Sequence, residues 1–171
     1  MKVEYFDVVN DKDNIIGKAS RQECHSNPKL IHRGVFIIVT NEKEEILLSK
    51  RSMQKDTKPG VWEFPAGHND LGESYKNAAK RELKEEVGIA AKIKKIGKIL
   101  AKPGYETEFD EIFLGRVKSN VKLVLDKKEV SETRWISVPN LKKELANDRK
   151  TFTTCFSVVF NEYLRYCKKP I

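Results

Sequence analysis

Three glutamates carry the most chemistry in this chain. Glu82, Glu85 and Glu86 fall within five residues of one another in GHNDLGESYKNAAKRELKEEVGI, residues 67–89. At about 100° per residue, Glu86 lies about 40° to one side of Glu82 and Glu85 about 60° to the other. All three carboxylates therefore share one face of a helix. The i,i+4 pair Glu82/Glu86 alone costs that helix roughly 0.2–0.5 kcal/mol. Ala78 and Ala79 lie on the same face one turn earlier and leave room for another body, while Lys76, Lys80 and Lys84 form a solvated stripe opposite.

A charged surface helix is the bland explanation, and the flanking order argues against it. The stretch fits G-x5-E-x7-R-E-U-x-E-E-x-G-U without a gap, where U is bulky and apolar. Its fixed positions are Gly67, Glu73, Arg81, Glu82, Leu83, Glu85, Glu86, Gly88 and Ile89. At ordinary residue frequencies a chance match is on the order of one in a million. This pattern is the Nudix box, and the stretch resembles the Nudix hydrolase family. The resemblance implies that Glu82, Glu85 and Glu86 hold Mg²⁺ or Mn²⁺, hard cations that take oxygen ligands. The Ala66 carbonyl is a further ligand under it, and Glu73 and Arg81 form an ion pair that shapes the motif. The implied reaction is hydrolysis of a diphosphate linked to another group X, with a glutamate taking the proton of the attacking water. Glu85, Glu86, Glu108 and Glu129 are candidates for that base.

A second resemblance reaches from about Val8 to Trp135. HSNPKLIH, KRSMQKDTKPGVWE, AGHNDLGES and ETEFDEIF are similar to segments of type I isopentenyl-diphosphate isomerase, a Nudix-type fold. It implies a second metal site made of His25, His32, His68, Glu106 and Glu108, suited to Mn²⁺, Zn²⁺ or Mg²⁺. It also implies that Arg51 and Lys55 bind the diphosphate. The chain departs from that family where the isomerase has its catalytic cysteine, since Ala66 stands there, and where a shielding aromatic would fall, near Cys155. It also keeps the whole Nudix box.

These residues need a scaffold. Strand-like runs are EYFDVV, IIGKAS, HRGVFIIVT, ILLSKRS, VWEF, AKIKKIGKILA, ETEFDEIFLGRV and RWISV. A helix is predicted from about Ser74 to Val87, ended by Gly88. Further helices are predicted at PNLKKELAND and TFTTCFSVVFNEYLRYC. The order gives an α/β fold, which the resemblance specifies as a Nudix α/β/α sandwich with a mixed sheet and a loop-helix-loop motif. The 171 residues suit a single domain over 1–171.

Composition narrows the partners. A formal charge of +8 favours anionic ligands. The lysines are scattered with no basic arm, so a phosphorylated small molecule is expected rather than nucleic acid. No run approaches the ~18 apolar residues of a membrane span, and the N-terminus has no apolar signal core. Three cysteines without C-x-x-C fit a reducing compartment, so a cytoplasmic location is expected. Trp62, Phe64 and Tyr105 read as core more readily than as a stacking platform. A homodimer paired through the N-terminal strands is compatible with the pattern. The function expected is divalent-metal-dependent hydrolysis of a nucleoside diphosphate-X or similar metabolite. The alternatives are prenyl-diphosphate isomerisation and a non-catalytic ligand-binding module.

Overall fold

The computed structural model describes residues 3–168. A mixed sheet stands between two helical layers, so the α/β sandwich expected from the sequence is the fold observed. The strands are β1 (Tyr5–Val9), β2 (Ile15–Ser20), β3 (Ile31–Thr40), β4 (Glu45–Arg51), β5 (Trp62–Glu63), β6 (Ala66–His68), β7 (Ile93–Ala101), β8 (Thr107–Arg116) and β9 (Val130–Ser137). The helices are α1 (Arg21–Cys24), α2 (Tyr75–Val87), α3 (Val138–Asn147) and α4 (Phe156–Lys168).

β3 is the axis of the sheet. Its run from Gly34 to Thr40 is buried throughout, as a strand covered on both faces must be. It runs parallel to β8, from Ile31 opposite Thr107 to Thr40 opposite Arg116, and antiparallel to β6. Strand alternation then splits the core in two. Val35, Ile37 and Val39 pack with Ala78, Ala79, Leu83 and Val87 of α2. Phe36, Ile38 and Ile112 pack with Leu141 of α3 and Phe156, Val159 and Phe160 of α4. The small face of α2 is thus filled by the sheet itself, while Lys76, Lys80 and Lys84 stay exposed.

Both ends of α2 are fixed locally. The Ser74 side chain accepts from the Asn77 N–H, and Gly88 closes the helix at φ 74°. The Ile89 N–H returns to the Leu83 carbonyl at 3.2 Å. A Cβ on Gly88 would also meet the Val124 nitrogen at 2.9 Å, so space and dihedral both demand glycine.

The structure differs from the sequence expectation in four places. α1 is a single turn held by a capping box between Ser20 and Glu23. β6 is three residues long and exists because β3 supplies its partners. β9 begins at Val130 rather than Arg134, because the Lys50–Arg51 end of β4 continues the pairing. The segment TFTTC is not part of α4. There Arg149 binds the Thr153 and Thr154 carbonyls at 2.8 and 2.6 Å, and the Thr153 N–H donates to the Trp62 carbonyl at 3.1 Å. Those backbone groups are spent on β5 and on Arg149 and cannot start a helix.

The β1–β2 hairpin is latched onto the motif. The Gly72 N–H donates to Asp7 at 2.9 Å, and Asp13 accepts from Arg33 at 2.7 Å and from the Tyr75 hydroxyl at 2.9 Å. The hairpin carries Phe6 beneath the rings of His68 and His32, at centroid distances of 4.8 and 5.3 Å.

Candidate active site

One cavity of about 580 Å³ collects most of the residues singled out by the sequence. Two clusters line it, one from α2 and one from β3, β6 and β8.

Arg81 organises the first. It makes five hydrogen bonds: two to Glu73 at 3.2 and 2.8 Å, one to Glu82 at 2.7 Å, one to Glu85 at 3.2 Å, and one to the His68 carbonyl at 2.9 Å. The Glu73–Arg81 pair is therefore present, and it locks the loop to the helix. Glu82, Glu85 and Glu86 all line the cavity. Glu86 is buried and accepts one hydrogen bond, from the Ala66 N–H at 3.2 Å. Glu85 is the most open of the three, its side chain 58% exposed. Glu82 lies directly over Gly67, where a Cβ would fall 2.1 Å from its Cδ. Burial pushes the Glu82 carboxyl up to about 7 against the pull of Arg81. Burial, with Glu63 and Glu82 close by, holds Glu86 well above the ordinary carboxylate range. Among the described residues the repulsion between these carboxylates is only partly neutralised.

The second cluster is built by strand register. His32 stands opposite Glu108, and Gly34 stands between His68 on one side and Asp110 on the other. Gly34 offers no side chain, and a Cβ there would meet Asp110 at 2.4 Å and Glu108 at 2.8 Å. The emptiness lets the flanking side chains converge. His25 comes from the residue that ends α1. Ligand atoms of His25, His32, His68 and Glu106 all lie within 4.8 Å of one another. The His25 Nε2 and His32 Nε2 atoms approach Glu106 Oε2 at 2.9 and 3.4 Å. Yet those three atoms are buried without a hydrogen-bond partner. Lone-pair donors that converge on one point without bonding to each other are what a metal ion requires, so these residues fit one. Burial alone would raise Glu106, but His25 and His32 outweigh it and hold the carboxyl well below its usual range. Burial, then His32 and His25, keep His68 well below the usual imidazole value. Glu108 stands beside this group, with Oε2 3.5 Å from His68 Nε2 and 3.9 Å from His32 Nδ1. That is the other ring nitrogen of His32 from the one facing Glu106, so the set of five expected ligands resolves into a tight four and a neighbour.

Both Arg51 and Lys55 line the cavity. Arg51 is committed to the protein, bonding the Thr57 carbonyl, the Thr57 hydroxyl and, at 2.8 Å, buried Glu63. It stiffens loop 52–60 and shields Glu63, with few donors left for a ligand. Lys55 is paired with Glu129.

One acidic cavity residue went unread in the sequence. Asp110 continues the alternation of Glu106 and Glu108 by one more step, a signal that was available. Tyr105 lines the cavity, in contrast to fully buried Phe64, which is core as expected. Trp62 packs at the core edge, with Arg134 over its ring at 4.2 Å. Cys155 lines the cavity wall, near the place where the resemblance to the isomerases put a shielding aromatic.

With the geometry in view, known proteins were compared. The model of the NUDIX domain matches residues 30–155. An isopentenyl-diphosphate Delta-isomerase of Photorhabdus laumondii is 32% identical over 164 residues, covering 92% of this chain and 91% of that protein. A putative 8-oxo-dGTP diphosphatase of Bacillus subtilis is 36% identical over 127 residues, covering 69% of this chain and 79% of that protein. A crystal structure from Deinococcus radiodurans superposes with a TM-score of 0.80 at 20% identity, over 94% of this chain and 99% of that one, a likeness of fold.

Proposed function

The chain is an enzyme of the NUDIX family, in the subgroup related to isopentenyl-diphosphate isomerases, and we propose that it hydrolyses a diphosphate bond in a nucleoside diphosphate-X or similar metabolite. One observation carries this reading. All three box glutamates face one cavity, and the residue before the box glycine is Ala66, whose methyl group can neither give nor take a proton. The relationship to a putative 8-oxo-dGTP diphosphatase supports it.

Under this reading Glu82, Glu85 and Glu86 would hold Mg²⁺ or Mn²⁺, which would acidify a bound water and neutralise phosphate charge. Arg81 aims Glu82 and Glu85. Glu85 gives one oxygen to Arg81 and keeps Oε1 free to take the proton of the attacking water. The water oxygen bonds to phosphorus, the bridging P–O bond breaks, and the electron pair leaves with the departing phosphate. Arg21 and Lys55 on the cavity rim would draw the anionic substrate in.

Isomerisation is a second reading, and the names of the relatives weigh toward it. The isomerase of Photorhabdus laumondii aligns over nearly the whole chain, and the His25/His32/His68/Glu106 group with Glu108 beside it supports the same reading. Moving a double bond needs one group to add a proton and another to remove one. Glu108 could serve as one; Ala66 cannot serve as the other.

The test is an assay of purified protein with Mg²⁺ and with Mn²⁺ against nucleoside di- and triphosphates, nucleotide sugars, and isopentenyl and dimethylallyl diphosphates. Phosphate or nucleotide release is expected, lost by about 10²–10⁴ in Glu85→Gln. Double-bond migration without release would replace hydrolysis by isomerisation.

A further inference from the structure

The face of β8 that carries Glu108 holds one more acid, Asp110, outside the group that could hold a metal. Glu106, Glu108, Asp110 and Ile112 follow at every second position, so all four side chains point to one face. Glu106 joins the histidines, Glu108 adjoins them, and Ile112 is core. Asp110 stands at the change from acid to apolar. It is 1% exposed, lines the cavity, and its Oδ2 has no hydrogen-bond partner among the described residues. It also lies outside the group of converging metal-ligand atoms. A second polar atom in the cavity lining has no partner among the described residues, the Oγ1 of Thr153, in the segment leading into α4. Cys155 of that segment is close enough to feel the acids: burial, then Asp110 and Glu108, raise its thiol to about 12.

A buried acceptor left unpaired costs free energy that an apolar side chain at the same place would avoid. Arg21 and Lys55 also line the cavity, the first paired with Asp56 and the second with Glu129, and suit the diphosphate, while Asp110 and its acidic neighbours repel it. We propose that Asp110 reads the group X of the substrate by accepting a hydrogen bond from it, so that X is a hydroxylated moiety such as a sugar rather than a prenyl chain. Thr153 completes the subsite as a second hydrogen-bonding group. A hydroxyl of X would satisfy these buried atoms, whereas a prenyl chain would leave them unpaired as they already are, so the pocket favours the hydroxylated group by the hydrogen bond it forms. The inference rests on the diphosphate-binding part of the proposed function.

The experiment is calorimetric binding in Mg²⁺ of two non-hydrolysable probes, the methylene-bisphosphonate analogues of a nucleoside diphosphate sugar and of isopentenyl diphosphate. Wild type, Asp110→Asn and Asp110→Leu are compared, with hydrolysis of the parent compounds followed in parallel. The sugar analogue is expected to bind wild type more tightly. Asp110→Leu should weaken it by about tenfold or more and leave the alkyl analogue unchanged or tighter. Asp110→Asn, of the same shape, should keep the fold and show an intermediate loss. Equal weakening of both probes would overturn the proposal, as would no weakening, a wild-type preference for the alkyl probe, or binding of neither. Discrimination in binding without hydrolysis would sink the hydrolase reading and leave the subsite standing. Hydrolysis without discrimination would do the reverse.

Discussion

The glutamate face of α2 and the histidine cluster of β3, β6 and β8 line the same cavity and solve opposite electrostatic problems. On the helix, burial meets negative charge with too little positive charge nearby, and the carboxyls of Glu82 and Glu86 are driven up. At the strands, histidines surround Glu106, and its carboxyl is driven down. The helix face presents carboxylate oxygens with little besides Arg81 to offset them. The strand cluster sets imidazole nitrogens beside its carboxylate. A charged cluster's meaning therefore depends on what the fold places opposite it, even at the distance of one cavity.

The contrast can be broken most severely at Glu86. Glu86→Gln keeps shape and removes charge, and should lower the hydrolysis rate by about 10²–10⁴ in steady-state assays while leaving the histidine cluster's metal affinity unchanged. Loss of both together would mean the two regions act as one site.

The two regions should also respond to pH in opposite senses when metal is chelated away. Glu82 titrates near 7 in the folded chain, above its ordinary 4.5. Its stabilisation is complete below about pH 4.5 and is lost as pH rises through about 7, an effect on the order of 3 kcal/mol. Glu106 and His68 are shifted down, so their stabilisation is present above their ordinary values of 4.5 and 6.5 and is lost as pH falls. Thermal unfolding in chelator should trace a dome of stability. Glu82→Gln should flatten its alkaline limb, and His68→Gln its acid limb. Identical profiles for both variants would contradict the contrast.

Glu106→Gln tests the strand cluster by itself. It should weaken one bound divalent ion by about 10–100-fold, seen in a metal titration, with a smaller effect on rate than Glu86→Gln. The finest probe is a pair of glycines. Gly67→Ala pushes against the end of Glu82, and Gly34→Ala against Asp110 and Glu108. Each should weaken metal binding at its own cluster by about tenfold, the flexible carboxylate yielding before the backbone. Crossed effects would show that the cavity floor is shared.

Much of the box side was legible in the residues. A 3.6-residue period fixes which side chains share a helix face, and Ser74 and Gly88 mark the ends in local chemistry. The strand cluster was reachable only by resemblance, because His25, His32, His68 and Glu106 lie on four segments with no common period. That Arg51 bonds Glu63 and that Asp110 is left unpaired was not legible for another reason. Whether an arginine is free for a ligand, or an aspartate is left unpaired, depends on neighbours far along the chain.

The sequence by itself determined the helix, its three glutamates and the order of strands, since these follow from local spacing and alternation, and the Glu73–Arg81 latch came with the resemblance. Only the tertiary structure decided that β6 and β8 flank β3 in the register that sets His68 and Asp110 on either side of Gly34. It alone placed Glu82 over Gly67 and turned Arg51 inward to Glu63. Register and burial come from long-range pairing, and the electrostatics of this cavity are set by burial.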